Sequence, residues 1–435
     1  MSKSTPTHGP PPSGPALPFL KRVKIRNYKS LADCDVELGP LTVLVGRNGS
    51  GKSNFLDALS FVADALRTSP GHALKSRGGI NEIRHRGAGH DDDVAFELEL
   101  GLPDGGEADY GFGISSGTDN RGLVKWEQFD SRAEYARCHL YRGMNDELRL
   151  CVRYGPDFEP VEGVLKRSLT SLDRLLLASV ALFGIGLFTP MFNDAYDELV
   201  SMKFYNFNPA SMRSFQGSGP PEVLQHDGGN IAGVVGRLDS ERPDAKERLR
   251  GYLATIVPGV TNFGRVSLGP METLEFEQGG DGAQPPWKFY LNSMSDGTLR
   301  ALGALVAVAQ LADGTNPVRL VGVEEPETAL HPGASGALMD ALREATVHKQ
   351  VVVTTHSADF LDQIEPDSDT DRLLVVQSRG GATEIGRIDP ASREAVVEHL
   401  YSPGELLRMD QFKADPADVL RQRQSRLPAD VGEPG

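Results

Sequence analysis

The stretch LTVLVGRNGSGKSNFLDALSFVADALR, residues 41–67, restricts the fold more than any other part of the chain. LTVLV is a continuous β-prone run of the kind buried on both faces of a sheet. Gly46 then opens GRNGSGKS, a full GxxxxGK[ST] pattern, and the helix expected after it carries Phe55, Leu59, Val62 and Leu66 on one face. Glycines let the backbone N–H groups of Gly46, Arg47, Asn48, Gly49, Ser50 and Gly51 turn inward on phosphate oxygens, and the helix N-terminus adds its positive end. Lys52 reaches the β- and γ-phosphates, and the Ser53 hydroxyl can ligate Mg²⁺. Strand, loop and helix in this order predict an α/β fold built around a cradle for ATP and Mg²⁺.

A second apolar strand, VRLVGV, runs into EEPETALHP. A strand end beside a phosphate loop is where a carboxylate can reach the metal, so Glu324 is the metal candidate and Glu325 the general base that orients the attacking water. A third β-branched run ends at His356, whose imidazole can hydrogen-bond the γ-phosphate and report its presence. A fourth feature lies far downstream of the first. MSDGTLR, residues 294–300, is a small polar turn opening an apolar helix expected from about Thr298 to Leu311. Taken alone, Ser295 or Asp296 would be an ordinary helix N-cap.

GRNGSGKS, MSDGT, VGVEEPETALHP and TTHS in this order resemble the ABC-type ATPase heads of the RecF and SMC-like group, most closely the compact branch related to OLD-type ATPases. The resemblance covers roughly residues 19–100 and 285–390. It implies a P-loop NTPase of ABC-ATPase type, with a mixed central sheet, a β subdomain and an inserted helical lobe. It also implies a role for the downstream turn. Ser295, Gly297 and their helix N-terminus would bind the γ-phosphate held by Lys52 of a second copy, so that ATP joins a homodimer. DNA and a separate nuclease or effector subunit are the further partners that it implies, in DNA repair or anti-phage defence, with an ATP-gated scaffold of little turnover as the alternative. Glu324 stands where the family usually has aspartate, Asp296 where many relatives have glycine, and no glutamine is assigned as metal sensor.

The division expected is a disordered Pro/Gly/Ser-rich leader (1–18), the first part of the ATPase lobe (19–90), a β-rich subdomain (91–160), a helical lobe (161–285), the completion of the head (286–390), and a C-terminal helix with a fraying tail (391–435). The long insert lacks sustained heptads, which excludes an SMC-like coiled coil. The stretch after His356 leaves little room for a nuclease domain.

Net charge is −15, so nucleic acid would have to be met by a local basic patch. Lys21, Arg22, Lys24, Arg26 and Lys29 form one such cluster, read first as a solvated edge strand and second as a DNA contact. Arg77, Arg84 and Arg86 lie nearby. The acidic clusters at His90–Asp93 and Asp367–Asp371 read as solvated turns. Cys34, Cys138 and Cys151 lack a CxxC spacing and read as reduced core thiols. The longest apolar run, residues 175–188, is too short for a bilayer, so a cytoplasmic protein without a membrane partner is expected.

Overall fold

The computed structural model describes residues 19–87, 93–103, 105–116, 122–132, 136–142, 148–154, 161–164, 175–178, 189–219, 223–279, 285–310, 318–364 and 371–424. The leader, most of the two acidic clusters, the apolar run beyond residue 178 and the tail from 425 lie outside them.

A six-stranded sheet organises the chain. Its spatial order is Lys203–Tyr205, Leu320–Glu324, Gln350–Thr355, Leu41–Val45, Asp371–Arg379 and Ala382–Arg387. The first five strands are parallel, and the last pairs antiparallel with its neighbour. Leu44, Leu320, Val352 and Leu374 enter a core shared with the helix Lys52–Arg67. Val43, Val45, Val321, Val323, Val351 and Val353 enter a second core under the helices Ile231–Glu241, Pro243–Ile256, Asp296–Ala309 and Pro332–Ala345. Strands covered on both faces have no polar side to show, which is why these segments are continuous apolar runs. Phe55, Leu59, Val62 and Leu66 are fully enclosed. At roughly 1.5–3 kcal/mol for each large apolar side chain, that face holds the phosphate-loop helix in place far more firmly than helix propensity does.

The second sheet has eight antiparallel strands, in the order Leu31–Glu37, Leu20–Tyr28, Val94–Gly101, Glu107–Ser116, Gly122–Arg132, Ala136–Arg142, Leu148–Tyr154 and Val161–Val164. It overturns two expectations. The boundary near residue 90 does not separate a subdomain, because two strands upstream of the phosphate loop belong to this sheet. Nor is Leu20–Tyr28 an edge strand, since it pairs with Leu31–Glu37 on one side and Val94–Gly101 on the other. The basic residues on and beside it face carboxylates instead: Lys21 pairs with Glu107, Arg22 with Asp35 and Glu99, Lys24 with Glu97, Arg26 with Asp33, and Lys29 with Asp57. Arg77 lies against Asp57 and Asp64 of the phosphate-loop helix. Alternating charge along adjacent strands gives cross-strand pairs, a pattern that the sequence shows as a basic run only when one strand is read alone. Cys34 is buried in the same sheet, and burial raises its thiol pKa.

The span 161–285, expected to be a helical lobe, is mixed. After the helix Thr189–Val200 the chain rejoins the central sheet at Lys203–Tyr205. Beyond the helices Ile231–Glu241 and Pro243–Ile256, Val260–Leu268 and Met271–Gln278 form a hairpin, with Gly269 at φ 64° in its turn. Gln216–Gly217 and Trp287–Tyr290 pair with opposite ends of Met271–Gln278. Phe263, Leu274 and Phe276 are buried, and half-exposed Glu275 and Glu277 separate and follow the last two, although Thr273 before Leu274 is buried as well.

The C-terminal stretch expected to fray forms a helix, Pro416–Gln424, docked on the last strand. Asp418 accepts hydrogen bonds from the Arg387 backbone N–H at 3.1 Å and from its guanidinium at 2.9 Å twice. Those bonds hold the Asp418 carboxyl down at about 2. Gln422 donates to the Ile385 carbonyl at 2.6 Å. Among the described residues no helix is long and apolar enough to cross a membrane.

Candidate active site at the ends of the parallel strands

Register alone brings the chemistry together. Glu324 lies opposite Thr354, Thr354 opposite Leu44, and Thr355 opposite Val45, so three parallel strands end level with one another. The phosphate loop, the two glutamates and His356 cluster at those three ends.

The loop is shaped for phosphate. Gly51 has φ 108°, in the left-handed region, and a Cβ there would meet Thr383 Oγ1 at 2.0 Å, so only glycine fits. Thr383 Oγ1 in turn donates to the Ser50 carbonyl at 2.8 Å and lies 2.7 Å from Ser30 Oγ, tying the loop to the last strand. The Gly46 N–H donates to the Thr355 carbonyl at 3.3 Å. Arg47, Asn48 and Gly49 are exposed, and Arg47 approaches Asp410 of the C-terminal region at 3.7 Å. Ser50 is buried, and its hydroxyl finds no partner among the described residues.

Lys52 is 5% exposed, and its ammonium donates to the carbonyls of Gly46 at 2.6 Å and Arg47 at 3.2 Å. Burial lowers its pKa, an effect opposed first by Glu325, whose Oε1 is 3.8 Å away. Ser53 Oγ donates to Glu324 Oε2 at 2.6 Å. A hydroxyl and a carboxylate in contact are the hard oxygen pair that Mg²⁺ takes beside nucleotide phosphates, so these residues fit the ion.

Glu325 is anchored through its backbone. Its φ is 42°, uncommon for a residue with a side chain, and its N–H donates to Thr354 O at 3.0 Å and Thr354 Oγ1 at 3.2 Å. One carboxylate oxygen lies 3.0 Å from His356 Nδ1, and the other accepts from Thr328 Oγ1 at 3.4 Å. Lys52, Glu325 and His356 thus form a chain of contacts, each lying beyond the end of a different strand of the central sheet. A cleft of about 410 Å³ is lined by Asn48 to Asn54, Glu324, Glu325 and Thr328, together with Asn206 and Arg300, and His356 is not among its lining residues.

Ser295 and Gly297 are not among the residues lining that cleft. Ser295 is the N-cap of Asp296–Ala309, which begins two residues earlier than expected, and its Oγ accepts from the Thr298 N–H at 3.3 Å. Its side chain is exposed. Asp296 turns away to Arg213, 2.5 Å from its guanidinium. Gly297 is buried, and a Cβ there would lie 2.0 Å from the Ala329 carbonyl oxygen. The glycine therefore lets the helix start rest directly on the turn that follows Glu325.

Sequence reasoning missed three participants. Arg300 enters the cleft from the same helix as Ser295, and its guanidinium donates to the Phe207 carbonyl at 2.7 Å. Asn206 reaches the cleft because Lys203–Tyr205 joins the central sheet, which a three-residue strand does not announce. Glu327, only two residues past the candidate base, is enclosed rather than solvated.

Comparison with known proteins agrees with this geometry. Residues 19–100 match a family described as "AAA ATPase domain", and residues 223–362 one described as "AAA domain, putative AbiEii toxin, Type IV TA system". The chain is 30% identical over 123 residues to the DNA replication and repair protein RecF of Brucella abortus, covering 27% of this chain and 30% of that protein. It is 49% identical over 44 residues to the OLD nuclease of Thermus scotoductus, covering 10% of this chain and 8% of that protein. The matched stretches thus span less than a third of either relative. Among solved structures, the SMC head domain from Thermotoga maritima aligns at 13% identity and TM-score 0.41, over 85% of this chain and 99% of that one. An SMC head bound to the C-winged helix domain of ScpA aligns at 14% and 0.48, over 87% and 99%. A phosphate loop, paired strand-end glutamates and two matching AAA-type families give this chain a site of the P-loop ABC/AAA type, and the chain is similar to RecF and OLD over part of its length.

Proposed function

We propose that the chain binds ATP with Mg²⁺, hydrolyses it with Glu325 as general base, and pairs with a second copy of itself across two nucleotides. The observation that carries the catalytic half is the contact of Glu325 with both Lys52 and His356 at the mouth of the phosphate loop. Lys52 would leave the loop carbonyls for the β- and γ-phosphates. Glu325 would take a proton from the attacking water, with its carboxylate aimed by His356 and Thr328. Ser53 and Glu324 would hold Mg²⁺, which when bound neutralises charge on the phosphate oxygens.

The pairing rests on Ser295, an exposed helix N-cap outside its own chain's cleft. A helix start directed at solvent is an anion site for a neighbour's phosphate. RecF is named for DNA replication and repair and OLD for nuclease action, and we infer that this switch likewise governs DNA binding or a partner effector. The five basic residues on and beside Leu20–Tyr28 already hold carboxylates, so a DNA surface made from them would require those ion pairs to open.

The test is Glu325→Gln. Phosphate release should fall by roughly 10²-fold or more while nucleotide binding persists and ATP-bound dimers accumulate in sedimentation. Normal turnover in that variant would refute the assignment of the base.

A further inference from the structure

Glu327 sits on the same turn as the candidate base but faces the interior. It is 4% exposed. Its Oε1 accepts a short hydrogen bond from Thr355 Oγ1, while its Oε2 is enclosed with no partner among the described residues. Thr355 Oγ1 is used twice, because it also accepts from the Ser357 backbone N–H at 3.0 Å. His356 lies between those two residues, and its Nδ1 is 3.0 Å from Glu325. One carboxyl group therefore braces both sides of the step that presents the histidine to the base.

We propose that Glu327 is a positioning residue for the candidate base: from the buried side of the turn its carboxyl group fixes Thr355 and, through Thr355, Ser357, and thereby the approach of His356 to Glu325. An ionised carboxylate with an oxygen that no donor reaches is expensive to enclose, whereas the neutral acid leaves a smaller penalty. The charged groups that face it are Glu325 on its own turn, His356 at the neighbouring strand end and Lys52 at the start of the phosphate-loop helix. Burial raises the carboxyl to about 7, with the Thr355 hydrogen bond opposing and the charge of Glu325 adding. A glutamine has the shape of that neutral acid, and an alanine removes the brace.

The inference rests on the ATPase reading above, and the experiment separates the two. Steady-state phosphate release is measured for the full chain, Glu325→Gln, Glu327→Ala, Glu327→Gln and Thr355→Val. Glu327→Ala should lower kcat about tenfold or more with KM within about twofold, and Glu327→Gln should recover most of that loss. Thr355→Val, which cuts the same link and keeps its volume, should follow Glu327→Ala, and it decides the matter if the alanine variant does not fold. A glutamine as damaging as alanine would show that negative charge is needed and overturn the proposal, as would an unchanged kcat in Glu327→Ala or Thr355→Val. Normal turnover in Glu325→Gln would instead overturn the base assignment, and a wild-type chain that releases no phosphate would overturn both.

Discussion

Glu325 occupies a backbone conformation that most residues avoid, and Thr354 holds it there with two hydrogen bonds. Such a cost, about 1–3 kcal/mol, persists where surrounding structure over-determines it. Much of the candidate site is legible one residue at a time: the loop, Lys52, Ser53, the two glutamates and His356 are residue types suited to phosphate and metal, and they lie together at the strand ends. Glu327 was not legible, because a carboxylate just past a strand end ordinarily faces water, and only tertiary contact turns it inward. Its titration carries a stability consequence with a definite sign. The folded-state pKa, about 7, lies above the ordinary 4.5, so the folded chain holds the proton more tightly. The stability this supplies is complete below about pH 4.5 and is lost as pH rises through about 7. Urea unfolding of Glu327→Gln and the wild type at pH 5 and pH 8 should therefore show the glutamine variant gaining on the order of 3 kcal/mol relative to wild type at the higher pH. A difference that does not change with pH would mean that Glu327 is already ionised when folded.

Among elements, the strongly periodic ones were readable. LTVLV, VRLVGV and the run ending at His356 lie in the central sheet, and the apolar face of Lys52–Arg67 is the one buried. What failed was whatever depended on partners: the edge status of Leu20–Tyr28, the sheet formed by residues 216–290, and the docking of Pro416–Gln424, whose amphipathicity is weak and whose hold comes from Asp418 on Arg387. The helix Asp296–Ala309 shows how closely elements are fitted. Its second residue, Gly297, leaves no room for a methyl group against the Ala329 carbonyl, and backbone on both sides prevents a cheap adjustment. Gly297→Ala should lower the unfolding free energy by about 1–3 kcal/mol, the range for overpacking, as measured by denaturant titration. It should also slow turnover, because the helix start rests on the turn that carries Glu325. A variant with wild-type stability would show that the two elements separate without cost.

For the whole molecule, the question is whether one chain makes a complete site. Ser295 does not line the cleft that holds Lys52, so each proposed dimer would have two sites, each with a loop from one copy and a helix start from the other. Ser295→Arg alone and Lys52→Ala alone should each lack turnover. An equimolar mixture should recover a fraction of it, because one site in each mixed dimer would pair an intact loop with an intact helix start. The assay is phosphate release against mixing ratio, and no recovery at any ratio would count against a shared site.

The eight-stranded sheet has a last implication. Its strands straddle the phosphate loop in the sequence, two before and six after, and the loop's helix is packed upon it. Residues 94–164 are thus no detachable ornament: excising them would strip Leu20–Tyr28 of a neighbour and undress the back of the phosphate-loop helix. A ligand or force that bent that sheet would therefore press on the helix that begins at Lys52.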